Sequence, residues 1–242
     1  MSRDNWEHYD HFKRNSGLAE KYYGFVHASF AEGLHRVAQG RRFRQALDVA
    51  CGSGDSTALV LPHAETVCGI DLSPGLIEKA RTSPGLAEVE FLQGDFLACD
   101  LPRRYDLITA AWFHDFLHDE AQQHQALAKI TAALAEGGAV VFLIPSANFM
   151  SDKAQACFRR LGWRQSWHEH RPERSHGLFS FQGSPWAEIT CWQPLYLFRL
   201  YHAEFELHFL DTKKICIEQG FAGEAFLEPT FDVLYGFRRQ AA

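Results

Sequence analysis

Three aspartates close three short apolar runs: Asp48 in "LDVACGSGD", Asp71 in "TVCGID" and Asp95 in "FLQGDF". A carboxylate at the end of a buried strand can accept hydrogen bonds from sugar hydroxyls or hold a cationic group. Between the first two acids, Gly52 and Gly54 let the backbone pass close to a ligand, at φ values other residues resist. Asp71 lies 21 residues beyond Ala50, near the ~20-residue spacing of the ribose-binding acid in dinucleotide folds. A dinucleotide reading meets two obstacles. Thr57 stands where the third glycine of G-x-G-x-x-G belongs, and Asp48 and Asp55 would repel a pyrophosphate.

S-adenosylmethionine has no phosphate, and its sulfonium and ammonium are favoured by acidic surroundings. Asp71 would then take the ribose and Asp95 the adenine amino group, with Phe96 beside the ring or, alternatively, in the core. Asp48 reads either as a contact to the methionine amino group or as a residue that orders its own loop. Asp55 reads as a solvated helix-start residue.

A second group of chemical residues follows the fourth apolar run. "AAWFHDFLHD" offers His114, Asp115 and His118 near the place where a methyl donor and its acceptor would meet. An imidazole there could take a proton from the acceptor or anchor it; a capping or surface role is the alternative for both histidines. His202, in "LYHAEFE", reads as a third candidate if it faces the site, or as a core histidine. "WHEHRPERSH" brings His168, His170 and His176 together, but basic neighbours oppose a cation and no cysteine accompanies them. It reads as a solvated loop, and no metal is expected.

These residues need a scaffold, and the sequence supplies one. "QALDVA", "TVCGID", "VEFLQ", "YDLITAA" and "AVVFLI" read as short buried strands. They alternate with helical stretches at "TALVLPHA", "PGLIEKAR" and "DEAQQHQALAKITAALAEG". Ser73 and Pro74 mark a helix start, and Gly137-Gly138 reads as a helix stop. Such alternation implies right-handed βαβ units and a parallel sheet covered on both faces. Residues 1–40 read as aromatic-rich amphipathic helices, in which Tyr9 and Tyr22 could close over the cofactor. Residues 146–209 read as a β-rich insertion over the carboxyl ends of the strands, with "GLFSFQ", "AEITCW" and "LYLFRLYHAEFELHFL" as antiparallel strands. Residues 210–242 read as a helix capped by Asp211 and stopped by Gly220, followed by two strands, "EAFLEP" and "DVLYGFR".

"LDVACGSG", "GIDLSPGLIEKA", "FLQGDF", "YDLITAAWFHDFL" and "LAEGGAVVFL" resemble, in order and spacing, the motifs of the class I S-adenosylmethionine-dependent methyltransferases. The resemblance implies a Rossmann-like, mostly parallel seven-stranded α/β sheet with a core over residues 41–145, completed by 210–242. It places the cofactor on Ala50, Gly52, Asp71, Leu72, Asp95, Phe96 and Ala111. The family has glycine where this chain has Ala50, a departure tolerated if Ala50 sits at negative φ. Residues 1–40 and 146–209 lie outside the resemblance, and the insertion is loosely similar to that of small-molecule N- and O-methyltransferases.

Bulk composition narrows the partners. The formal charge is −6, from 24 Lys and Arg against 30 Asp and Glu, which argues against a nucleic-acid groove. No run approaches membrane-spanning length, and the six scattered cysteines fit free thiols in a reducing, cytoplasmic setting. The expected acceptor is a small aromatic or heterocyclic metabolite, methylated on O or N, with a homodimer possible. A protein or RNA methyltransferase, or a cofactor-binding protein without methyl transfer, are the alternatives.

Overall fold

The computed structural model describes residues 17–181, 186–220 and 229–240. The central elements are strands β1 (Phe43–Val49), β2 (Ala64–Asp71), β3 (Glu90–Gln93), β4 (Tyr105–Ala111) and β5 (Leu134–Pro145). Helices α1 (Gly17–Ala38), α2 (Asp55–Val60), α3 (Pro74–Thr82) and α4 (Glu120–Ala133) surround them. Downstream lie α5 (Asp152–Arg160), β6 (Trp163–His170), β7 (Arg174–Phe181), β8 (Ala187–Trp192), α6 (Pro194–His202), β9 (Phe205–Phe209), α7 (Thr212–Glu218) and β10 (Phe231–Arg238).

Seven strands form one sheet in the order β3-β2-β1-β4-β5-β10-β9. The first five are parallel, and β10 runs antiparallel to both β5 and β9. The order reverses beside β1, which opens a crevice beyond the carboxyl ends of β1 and β4, where such sheets take their ligands. The unbroken apolar run of β5 follows from burial on both faces. Ala139, Val141 and Leu143 join the cluster under α1, while Val140, Phe142 and Ile144 join Ile130 of α4 and Tyr201 of α6. Gly33 brings α1 down onto the sheet: a Cβ there would stand 2.8 Å from Val233 Cγ1 and 3.0 Å from Val141 Cγ1. The position of α1 matters because its inner face also reaches the crevice.

The helix caps agree with their sequence signals. Ser73 Oγ accepts from Leu76 N, with Pro74 at the first helical position, and Asp211 Oδ1 accepts from Lys214 N. Three expectations change. "LYLFRLYHAEFELHFL" is helix α6 followed by strand β9, not antiparallel strand throughout: Pro194 starts a helix, and Leu197 and Tyr201 are buried four residues apart. β9 then joins the main sheet as its edge strand. Helix α4 stops at Ala133 rather than at Gly137-Gly138, because Leu134 already pairs with Tyr105 of β4. Gly137, at φ 67°, turns the chain inside the irregularity before Ala139 pairs with Leu107.

Residues 163–192 make a separate three-stranded antiparallel sheet, β6-β7-β8. "WHEHRPERSH" is the hairpin of β6 and β7, not a loop, and among the described residues no histidine, cysteine or acid cluster could hold a metal. Strand pairing puts Trp163, Gln165 and Trp167 on one face with Phe179, Gly177 and Ile189. Gly177 lets the paired strand β6 come close, since a Cβ there would lie 2.3 Å from Ser166 O and 3.0 Å from Trp167 Cε3. This face turns toward the crevice. Trp6, Tyr9 and nearly all of "EAFLEP" lie outside the described residues. No described helix is long and apolar enough to cross a membrane.

Candidate active site

The crevice is a cavity of about 280 Å³, bounded by the ends of β1, β2 and β4, by α1, and by the inner face of the small sheet. Its floor is the turn after β1. Ala50, Gly52 and Gly54 all take left-handed backbone, at φ 55°, 55° and 97°. Ala50 is therefore not at negative φ, and the sequence expectation is corrected. The conformation follows from what the turn must satisfy: Cys51 N donates to Ile70 O, and Gly52 N donates to Asp71 Oδ2 at 2.9 Å. The two glycines act differently. A Cβ on Gly52 would meet nothing within 4 Å, so that side is open space, whereas one on Gly54 would lie 2.3 Å from Leu86 Cδ1.

Left-handed backbone strains an L-residue, and more so one with a branched Cβ. Ala50→Val should cost about 1–2 kcal/mol of unfolding free energy, while Ala50→Gly should be neutral or slightly stabilising. Urea unfolding of the two variants checks this. Equal stabilities would contradict the strain.

Asp71 joins the loops after β1 and β2. Its Oδ1 accepts from Ser73 N at 2.8 Å and its Oδ2 from Gly52 N. Burial raises its pKa, and these backbone bonds pull the other way. Each oxygen keeps a second lone pair for a ligand hydroxyl. Leu72 beside it is 59% exposed, an apolar surface left open at the mouth of the cavity. Across from it Phe96 is buried, edge-on to Phe113. Asp95 Oδ1 accepts from Leu97 N and the rest of the side chain is exposed. Ala50, Gly52, Asp71, Leu72, Asp95, Phe96 and Ala111 all line the one cavity.

Asp48 does not. It is wholly buried, and Oδ2 accepts from Ser56 Oγ and Thr57 Oγ1 at 2.7 Å each while Oδ1 accepts from Thr109 Oγ1 at 2.8 Å. It ties β1 to the start of α2 and to β4. Burial raises its pKa against these three hydroxyls. Thr57, the residue that breaks the dinucleotide glycine pattern, is one of its donors. Tyr22 is also behind the wall, its hydroxyl 3.0 Å from Thr230 Oγ1, while Tyr23 on the same helix lines the cavity.

None of the three histidines reaches the cavity wall. His114 is fully buried on the opposite side of the sheet, packed on Phe142 and Tyr201. Its Nδ1 lies 2.8 Å from Gln123 Oε1, and Gln123 Nε2 donates to His114 O. Burial pulls its pKa down to about 4. The cause is the backbone. Trp112, at φ 62°, turns the chain into a 3-10 turn over Phe113–Phe116, whose successive side chains fan apart, so that Asp115 lines the cavity and His114 does not. His118 Nδ1 bonds Thr190 Oγ1, which also meets His176 Nδ1. Thr190 alternates with Ile189 along β8, so this cluster lies on the outer face of the small sheet. His202 is exposed at the end of α6, stacked on Phe198 and beside Arg239.

The remaining wall was not assigned from the sequence as site. Val26, His27 and Phe30 come from α1, Trp112 and Phe116 from the turn after β4, and Phe149, Trp163, Phe179 and Ile189 from beyond β5. Only their aromatic excess hinted at it. The ionisable lining is one-sided: Asp55, Asp71, Asp95 and Asp115 are its acids, and no described lysine or arginine lines it. Such a wall suits a cationic ligand and opposes a pyrophosphate.

Known proteins resemble this chain in part of its sequence and in its fold. Residues 46–138 match the family model described as a methyltransferase domain. An uncharacterized methyltransferase of Bacillus cytotoxicus is 32% identical over 142 residues, covering 57% of this chain and 63% of that protein. Its counterpart in Bacillus thuringiensis is 31% identical over 143 residues, with the same coverage. The chain thus spans under two thirds of the length of these curated relatives. Among solved structures, a sugar N-methyltransferase of Streptoalloteichus is similar at TM-score 0.62 and 21% identity, covering 96% of this chain and 93% of that one. An S-adenosylmethionine-bound amino pentose methyltransferase from Micromonospora echinaspora gives TM-score 0.60 at 19% identity, covering 97% and 96%. At these identities the structures establish the shared fold. Residues 46–138 thus match a methyltransferase domain, and the sheet has the fold of these solved methyltransferases.

Proposed function

We propose that the protein transfers a methyl group from S-adenosylmethionine to O or N of a small aromatic or heterocyclic molecule. The observation that carries the reading is the division of the one cavity into an acidic half at the strand ends and an aromatic half under the small sheet. In the acidic half, the chain offers Asp71 to ribose hydroxyls, Leu72 and Phe96 to the two faces of an adenine, and the open side of Gly52 to the methionine moiety. The cofactor, when bound, supplies an electrophilic sulfonium methyl.

The aromatic half performs what an alignment mechanism needs from the protein. Trp112, Phe149, Trp163 and Phe179 exclude water and hold a flat acceptor against the donor half. The sugar and small-molecule methyltransferases of the same fold support an acceptor of this size. Residues 146–192, which lie outside the matched domain, would set acceptor choice.

Incubating the protein with methyl-tritiated S-adenosylmethionine and a cell extract tests the reading. Label should accumulate in the low-mass fraction. Label confined to protein or RNA would support a macromolecular acceptor instead, and no label would leave a binding protein without transfer.

A further inference from the structure

Asp115 is buried to 98%, lines the aromatic half of the cavity, and makes no side-chain hydrogen bond or ion pair with a described residue. An unpartnered buried carboxyl costs free energy, and protein interiors seldom keep one without use. Gln165 faces the same cavity from β6, and both its Oε1 and its Nε2 are buried without a partner. Trp112, Phe116, Phe179 and Ile189 line the same cavity. Asp115 and Gln165, set in a mostly aromatic and apolar chamber whose other polar members include Tyr23 and His27, mark where a ligand's own polar atoms must go.

We infer that Asp115 and Gln165 form the acceptor subsite, which takes a flat ring bearing an N–H or O–H directed at the Asp115 carboxylate. The inference rests on the methyl-transfer reading above and names the acceptor class. Asp115 also replaces the histidines as the proton acceptor. The acceptor's N or O lone pair forms the new bond to the methyl carbon, and the C–S bond breaks with its electrons going to sulfur. The N–H or O–H proton passes to the Asp115 carboxylate, giving the methylated product, a neutral thioether and a protonated Asp115. Burial pushes the Asp115 pKa well up, and a cationic ligand in the acidic half favours its ionised form. Gln165 has one donor and one acceptor end, so it fixes the ring's remaining polar atom, whichever kind it is.

The test uses the whole chain and two variants. Asp115→Asn keeps the side-chain shape but cannot take the proton. It should bind S-adenosylhomocysteine within about threefold of wild type, yet transfer methyl to the extract acceptor about 10²–10⁴-fold more slowly. Asp115→Leu tests anchoring with simple probes of equal size. Aniline and phenol should each bind the S-adenosylhomocysteine complex of the wild type about tenfold more tightly than toluene, and the variant should lose that preference. A stronger preference for aniline would assign an amine acceptor, and one for phenol a hydroxyl acceptor. Transfer by Asp115→Asn within a few-fold of wild type, or equal binding of toluene, would overturn the inference while leaving the methyltransferase reading in place. A wild type that binds no S-adenosylhomocysteine would overturn both.

Discussion

Asp71→Ala should bind S-adenosylhomocysteine about 10- to 150-fold more weakly than wild type, the loss expected for a charged hydrogen-bonding group worth about 1.5–3 kcal/mol. The carboxylate does two things that alanine cannot. It presents lone pairs to the cavity, and it holds Gly52 N at 2.9 Å and Ser73 N at 2.8 Å, which fixes the turns after β1 and β2 against each other. Both contributions fall on the same ligand half. Asp48→Asn is the informative companion, because the described hydrogen bonds of the Asp48 carboxylate go to Ser56, Thr57 and Thr109. That variant should lose stability while its folded fraction keeps the cofactor affinity. Calorimetric titration separates them: equal affinity for folded Asp71→Ala and wild type would remove Asp71 from the cofactor site.

The second large effect is on stability and concerns His114. Its folded pKa of about 4 lies below the ordinary histidine value, so the unfolded chain binds a proton that the folded chain refuses. Stability from this group is complete above about pH 6.5 and is lost as pH falls toward 4, to a total of about 3 kcal/mol. Asp232 works in the opposite sense, since burial raises its pKa to about 6 and its contribution declines as pH rises toward that value. Comparing His114→Gln with wild type isolates the histidine. Urea unfolding between pH 4.5 and 7.5 should show a shallower pH dependence in the variant, with methyl transfer retained at neutral pH. An unchanged pH dependence, or turnover lost in a folded variant, would return His114 to the chemistry.

Most of the acidic half of the cavity was legible because local rules wrote it. Apolar runs ending in Asp71 and Asp95 gave strand ends, and Gly52 and Gly54 gave the turn. Ala50 misled, because nothing in its type signals a left-handed φ; the demand comes from Asp71, which is distant in sequence and draws Gly52 N toward it. The facing of the side chains of "WFHDF" was misread for a related reason. Which of His114 and Asp115 faces the cavity depends on the φ of Trp112, and that is set by the β4–β5 register and the bond from Trp112 N to Leu143 O. The aromatic wall was hidden because it is tertiary. Trp163, Gln165 and Phe179 meet Tyr23 only once the small sheet folds over α1, and alternation alone could not separate strand β9 from helix α6.

A crystal structure of the chain with S-adenosylhomocysteine tests the central claim most directly. The account expects the adenine between Leu72 and Phe96, ribose hydroxyls on Asp71, and the sulfur turned toward the aromatic chamber that holds Asp115. Ligand bound away from the Gly52 turn, or a sulfur facing solvent with the chamber closed off from it, would contradict the account.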